Sequence, residues 1–141
     1  MRFVILGAPA TKKNHSRIFR NQRTGKPFVV PSEQAMAWAK SAEYQLRAQD
    51  RQSRPNDKPV NVRATIYRAR RTGDLNNFLA AIADALEAAG VVVNDRLIEG
   101  WDGSRLRHDK VRPRVEIEIV DMAFVDGERV EDIETAGGKR K

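Results

Sequence analysis

The sequence predicts one small α/β domain, α+β in its layering, with a mixed sheet of about four to five strands and two main helices. Apolar and polar residues alternate over Val60–Tyr67 and again over Arg114–Val120, the period-two pattern of strands buried on one face. Apolar residues recur at helical spacing in Ala35, Ala39, Ala42 and Leu46, and again in Phe78, Leu79, Ile82, Leu86 and Ala89. A chain of 141 residues is long enough for one core and too short for two.

The elements follow in order. Arg2–Leu6 reads as a buried first strand, closed by a loop from Gly7 to Arg23 that carries Lys12, Lys13, His15, Arg17 and Arg20. Phe28–Val30 is a short strand between prolines. Ser32 is a side-chain cap with Glu33 in the first turn, opening a helix to Ala48. Asp50–Pro59 is a solvated loop before the strand at Val60. A second helix is expected over Asn76–Ala89, capped by Asn76 or Asn77 and stopped by Gly90. Val91–Val93 reads as a short strand, and Ile98–Arg107 as a strand interrupted at Gly100 and Gly103. Residues 1–122 form the domain; from residue 123 apolar density collapses, and 123–141 is expected to be a disordered tail.

Charge and composition narrow the function. The net charge is +7, and because six acids and four bases fall in Asp121–Lys141, residues 1–120 carry about +9. A body this basic favours a polyanion partner. With no cysteine, disulfides, zinc-thiolate sites and thiol nucleophiles are excluded. The apolar run Met1–Leu6 is far too short to span a membrane and lacks a signal-peptide cleavage pattern, so the expected address is the cytoplasm.

Against that basic background, acids stand at both ends of the second helix, Asp74 before it and Asp95 after it. Hydrolysis of a phosphodiester with Mg²⁺ or Mn²⁺ needs one or two carboxylates plus the substrate phosphate, and these two meet that minimum. Asp84 shares a helix face with Asn77 and is a third candidate ligand, a supporting group or a solvated helix residue. Each acid also has a plainer reading: Asp74 as a helix-start charge, Asn94-Asp95 as a turn. Arithmetic adds a constraint. Leu75–Ala89 rises about 22 Å as a helix, whereas Gly90–Asp95 returns at most about 17 Å. Either the helix is shorter than that, or Asp95 of one subunit completes a site begun by Asp74 of another.

The texts Asp74-Leu75-Asn76-Asn77-Phe78, Asp84-Ala85-Leu86 and Val93-Asn94-Asp95, in that order behind a basic strand end, resemble the RusA family of Holliday-junction resolvases. Pro9-Ala10-Thr11-Lys12-Lys13-Asn14 is similar to that family's loop after the first strand. The resemblance spans residues 1–122, and its specific part is the window Asp74–Asp95. It implies a homodimeric, Mg²⁺-dependent endodeoxyribonuclease that resolves four-way DNA junctions in recombination and repair, of a kind commonly encoded by phages and prophages. Asp74 and Asp95 then bind metal and orient a water, with Asn76 and Asp84 completing or supporting the site. Three positions depart from the family pattern. Asn76 stands where an acid is usual, Ala80 where junction-resolving members have a lysine, and Asn94 where the first residue of an acidic pair is usual. Asn76 fits an engineered near-isosteric change, a natural branch that recruits another acid, or a protein that binds without cutting. Lys12 or Lys13 is a candidate substitute for the missing lysine.

Lys12, Lys13, Arg17, Arg68, Arg70, Arg71, Arg96 and Arg105 are the candidate DNA-binding residues, with Arg63, Arg107, Lys110, Arg112 and Arg114 adding to the basic surface. Trp38 is expected in the core, and Trp101 either packs or stacks on bases at a junction centre. His15 and His108 read as surface residues. The runner-up function is a non-enzymatic branched-DNA binding protein on the same fold, and a third is a basic RNA-binding module.

Overall fold

The computed structural model describes residues 1–10, 17–30 and 32–125. The expected tail lies outside these residues beyond Val125, as does the loop carrying Lys12, Lys13 and His15. In chain order the strands are β1 (Arg2–Leu6), β2 (Arg17–Arg20), β3 (Pro27–Val30), β4 (Val60–Arg68), β5 (Ile98–Gly100), β6 (Arg105–His108) and β7 (Arg114–Asp121). The helices are α1 (Glu33–Gln49), α2 (Leu75–Ala88) and a short α3 (Met122–Val125), with a single 3₁₀ turn at Asp95–Leu97. Five strands form one mixed sheet in the order β1-β7-β4, with β5 and β6 both beside β4. The pairs β1/β7 and β7/β4 are antiparallel, whereas β5 and β6 run parallel to β4. The predicted α+β domain is what forms.

Alternation puts Phe3 and Ile5, Val60, Val62, Ala64 and Ile66, and Val115, Ile117 and Ile119 on one face of the sheet. Trp38, Ala42 and Leu46 from α1 and Phe78, Ile82, Ala85 and Leu86 from α2 are buried with them in one core. Full burial of each large aliphatic or aromatic side chain contributes about 1.5–3 kcal/mol. Trp38 fulfils its expected core role, and its indole N–H donates to the Gly7 carbonyl at 3.2 Å. The opposite sheet face is polar, with Glu118 bridging Arg2 and Arg63.

Several expectations are corrected. Arg17–Arg20 is a strand paired with Pro27–Val30, not loop, because a tight turn around Asn21, whose side chain accepts from the Arg23 and Thr24 amides, closes a hairpin. Val91–Val93 is not a strand; Val92 makes only an isolated bridge to Asn56 as the chain leaves Gly90, whose φ of +75° ends α2. The interrupted strand does form, as β5 and β6. Across the gap Asn61 pairs with both backbone polar groups of Asp102, and the Ser104 hydroxyl accepts from the Ala64 amide and donates to the Val62 carbonyl. Gly103 is required there: its φ is +87°, and a Cβ would stand 2.6 Å from Arg63 Cδ. Among the described residues no helix is long and apolar enough to cross a membrane.

The outer edge of β1 is closed by α1. Gln49 accepts from the Val4 amide at 2.9 Å and donates to its carbonyl at 2.8 Å, while Gln45 does the same to Leu6 at 2.8 and 3.3 Å. Two side-chain amides thus occupy the positions of a neighbouring strand and blunt an edge that would otherwise pair with another chain. Replacing both Gln45 and Gln49 by Ala is expected to cost about 1–3 kcal/mol in urea unfolding and to raise self-association in sedimentation. Unchanged behaviour in both assays contradicts this reading of the edge.

Candidate active site

Asp74 itself caps α2, two or three residues before the expected Asn76 or Asn77. Its Oδ1 accepts from the Asn77 amide at 2.9 Å and its Oδ2 from the Asn77 side-chain amide at 3.2 Å. Asp and Asn are equally good caps, so composition alone did not place the boundary. Both carboxylate oxygens therefore have partners, although the residue is exposed and keeps lone pairs toward solvent. Asn76 lies exposed in the first turn beside it.

Asp95 is fixed at the other end of the same helix. Its backbone amide donates to Glu87 Oε1 at 2.8 Å, and Asn94 caps the following turn by accepting from the Arg96 amide at 2.9 Å. Glu87 is thirteen residues beyond Asp74, a rise of about 20 Å. The glutamate leans back toward the helix start, but it holds Asp95 from the last turn of α2, whereas Asp74 stands before the first. The strands agree: β5 pairs with the beginning of β4 at Val60, whereas Asp74 follows the end of β4. Asp84 lies between them on α2, beside a cavity of about 150 Å³ also lined by Pro9, Met36, Trp38 and Ala81.

Two carboxylate oxygens on one Mg²⁺ stand no more than about 4 Å apart. Among the described residues no group of three or more acids or histidines is placed to hold a metal ion, so Asp74, Asp84 and Asp95 of one chain do not gather into one site. A single chain does not assemble the donor set that the sequence motif advertises.

The Asp74 end is the more basic. A groove of about 400 Å³ opens there, with Pro9, Gln34, Arg68, Arg70, Thr72 and Phe78 in its lining. Arg68 is half-buried and holds the loop, its guanidinium donating to the Thr72 carbonyl at 3.2 Å and the Gly73 carbonyl at 3.5 Å. Its role is thus to position the approach to Asp74 as well as to add charge. Arg70, Arg71 and Arg105 are exposed near this end, and Arg96 is exposed at the Asp95 end. Arg17 opens β2; Lys12 and Lys13 lie outside the described residues. Trp101 packs against the core rather than standing free.

Sequence reasoning missed Glu87, which nothing in the text distinguishes from other helix-surface glutamates. It also missed Asp109, whose Oδ1 accepts from the Val111 and Arg112 amides at 3.1 and 3.0 Å and whose Oδ2 pairs with Arg114 at 2.9 Å. An Asp four residues before Pro113 is a turn signal that could have found it. The Arg112 amide, then the Arg114 guanidinium, hold the Asp109 carboxyl below its ordinary value.

Two outcomes follow from these geometries. Asp74→Ala removes the cap and is expected to lower stability by about 1 kcal/mol, whereas Asp74→Asn, an equally good cap, stays near the parent; equal unfolding midpoints for Asp74→Ala and the parent contradict this. For Asp109 the folded carboxyl titrates below the unfolded one, so its stabilisation is present above about pH 4 and is lost as pH falls through the lowered folded value. The Val111 and Arg112 amide resonances are expected to titrate with a midpoint below that of Asp109 in the unfolded chain.

No curated protein matches the chain. The family model described as endodeoxyribonuclease RusA matches residues 7–120, from the loop after β1 to the closing strand β7, and so covers both aspartates. With most of its length matched, the chain belongs to the RusA endodeoxyribonuclease family.

Proposed function

We propose that the protein is a structure-specific nuclease that resolves four-way DNA junctions as a homodimer, acting in the cytoplasm of a bacterial or phage-infected cell. The observation that carries this reading is an exposed carboxylate, Asp74, planted at a helix start beside a groove containing Arg68 and Arg70. Arginines attract the phosphate backbone, and an acid among them weakens that attraction unless it holds a cation. The groove and the exposed Arg70 and Arg71 position the strand without reading its sequence.

Because one chain holds its two aspartates at opposite ends of α2, the complete site pairs Asp74 of one subunit with Asp95 of the other. Asp74 and Asp95 would hold Mg²⁺ or Mn²⁺, which would supply charge neutralisation at the phosphate and lower the pKa of an attacking water. Asn76, in the first turn of α2, orients that water or the phosphate as a neutral hydrogen-bonding group. Two such sites in a symmetric dimer match the two nicks that symmetrical resolution requires.

Junction and linear duplex DNA incubated with Mg²⁺ or Mn²⁺ test the proposal. The parent is expected to place paired nicks on the junction, and Asp74→Asn to lose at least about 100-fold in rate, the scale of removing one group that stabilises the reacting centre. Asn76→Asp is expected to cut faster. A second reading, binding without cutting, is favoured by the engagement of both Asp74 oxygens with Asn77; it prevails if the junction is bound but neither the parent nor Asn76→Asp nicks it. Affinity for either DNA should fall roughly 1,000-fold between 50 and 200 mM salt, the loss for about six phosphate contacts. A salt-independent affinity contradicts the phosphate model.

A further inference from the structure

Val111 is 93% exposed, the most exposed of the large apolar residues among the described residues. Isolated apolar side chains on a surface are ordinary. What sets this one apart is the rigidity of its support. Asp109 grips the Val111 and Arg112 amides, and Arg114 grips Asp109 while donating to the Arg112 carbonyl at 2.9 Å. Arg114 is itself fixed: its guanidinium lies 3.8 Å from the Tyr67 ring centroid and its Nε donates to Glu116 at 2.8 Å. A guanidinium held by two carboxylates and an aromatic face has little freedom left.

The turn is also tied to the approach to Asp74. The Asp109 amide donates to the Arg68 carbonyl at 2.9 Å, and His108 Nε2 lies 3.0 Å from the Ala69 carbonyl. Lys110 and Arg112 flank Val111 and are exposed, as are Arg70 and Arg71 on the adjoining loop. An apolar tip bracketed by cations suits a polyanion that offers an apolar gap, and a branched DNA offers stacked bases already parted at its centre. Parting them further costs least where pairing is already broken.

We propose that Val111 is a wedge that enters the branch point of the DNA, with Lys110 and Arg112 holding phosphates on either side. The proposal rests on the branched-DNA reading and assigns part of its structure selectivity. It places that role on Val111 rather than on Trp101, which packs against the core.

The test uses the full chain in EDTA, so that no strand is cut, and a four-way junction carrying 2-aminopurine beside the branch. The parent is expected to raise the fluorescence on binding. Val111→Ser should lose most of that rise and about tenfold of the preference for junction over linear duplex, the low end of what one specific contact contributes. Its affinity for linear duplex should stay within about twofold. Val111→Leu should restore the rise. Lys110→Ala and Arg112→Ala should weaken both DNAs alike and each reduce the salt slope by about 1. An unchanged rise and preference in Val111→Ser, or junction binding by the parent without any rise, overturns the wedge and leaves the branched-DNA reading standing. A parent that binds no DNA overturns both.

Discussion

Helix α2 is a spacer of fixed length, and the rest of the functional account depends on it. Asp74 caps its start, the Arg47 guanidinium donates to the Ala88 carbonyl at its end at 2.9 Å, and Glu87 holds the Asp95 amide just beyond. Between those points Phe78, Ile82 and Leu86 are buried against the sheet. Bringing Asp95 to Asp74 in one chain would unpack that face, at about 1.5–3 kcal/mol for each large side chain exposed. Domains of this size have net stabilities of only about 5–15 kcal/mol. The separation of the aspartates is therefore a property of the fold and not of one conformation. On the proposed shared site, chemistry that needs both carboxylates draws them from two chains.

The same economy of edges governs the sheet. β4 has β7 on one side and the broken pair β5 and β6 on the other, and Asn61 and Ser104 complete its hydrogen bonding where the neighbouring strand fails. β1 is closed by Gln45 and Gln49. Among the described residues the five-stranded sheet thus offers a second copy no long open strand to extend: one edge is occupied by side-chain amides and the other is short, interrupted and armed with Arg105 and Arg107. The proposed dimer would then associate through side-chain surfaces, among them the helix ends that carry the aspartates.

Much of this could be read from the text, for physical reasons that also explain the exceptions. β4 and β7 announce themselves because each buries one face, so period two is imposed on their composition. Ser32 marks a helix start because few side chains accept from an amide of the first turn, and Gly90 an end because few residues accept its φ of +75°. Arg17–Arg20 lacked such a mark: it is four residues long with an arginine at each end, and it becomes a strand only through its partner. Val91 and Val92 resemble a strand because β-branched residues are also what a buried turn after a helix uses for packing, while Val93 is exposed. At the candidate site, Asp74 and Asp95 were visible as residues, and chain-length arithmetic already strained against their meeting in one subunit. The Glu87 anchor and the Asp109–Arg114–Tyr67 network were not visible. Tyr67 meets Arg114 only through the β4/β7 register, which links positions far apart in sequence.

Mixing two inactive variants tests the shared site most directly. Asp74→Asn and Asp95→Asn homodimers each lack a ligand at both sites. When the two chains are unfolded and refolded together, about half of the dimers are mixed, and each mixed dimer regains one site with both aspartates if the site is made between subunits. The account predicts that junction nicking returns to about a quarter of the parent's, as single rather than paired nicks. A mixture as inactive as its two components, with mixed dimers shown to be present, would contradict it.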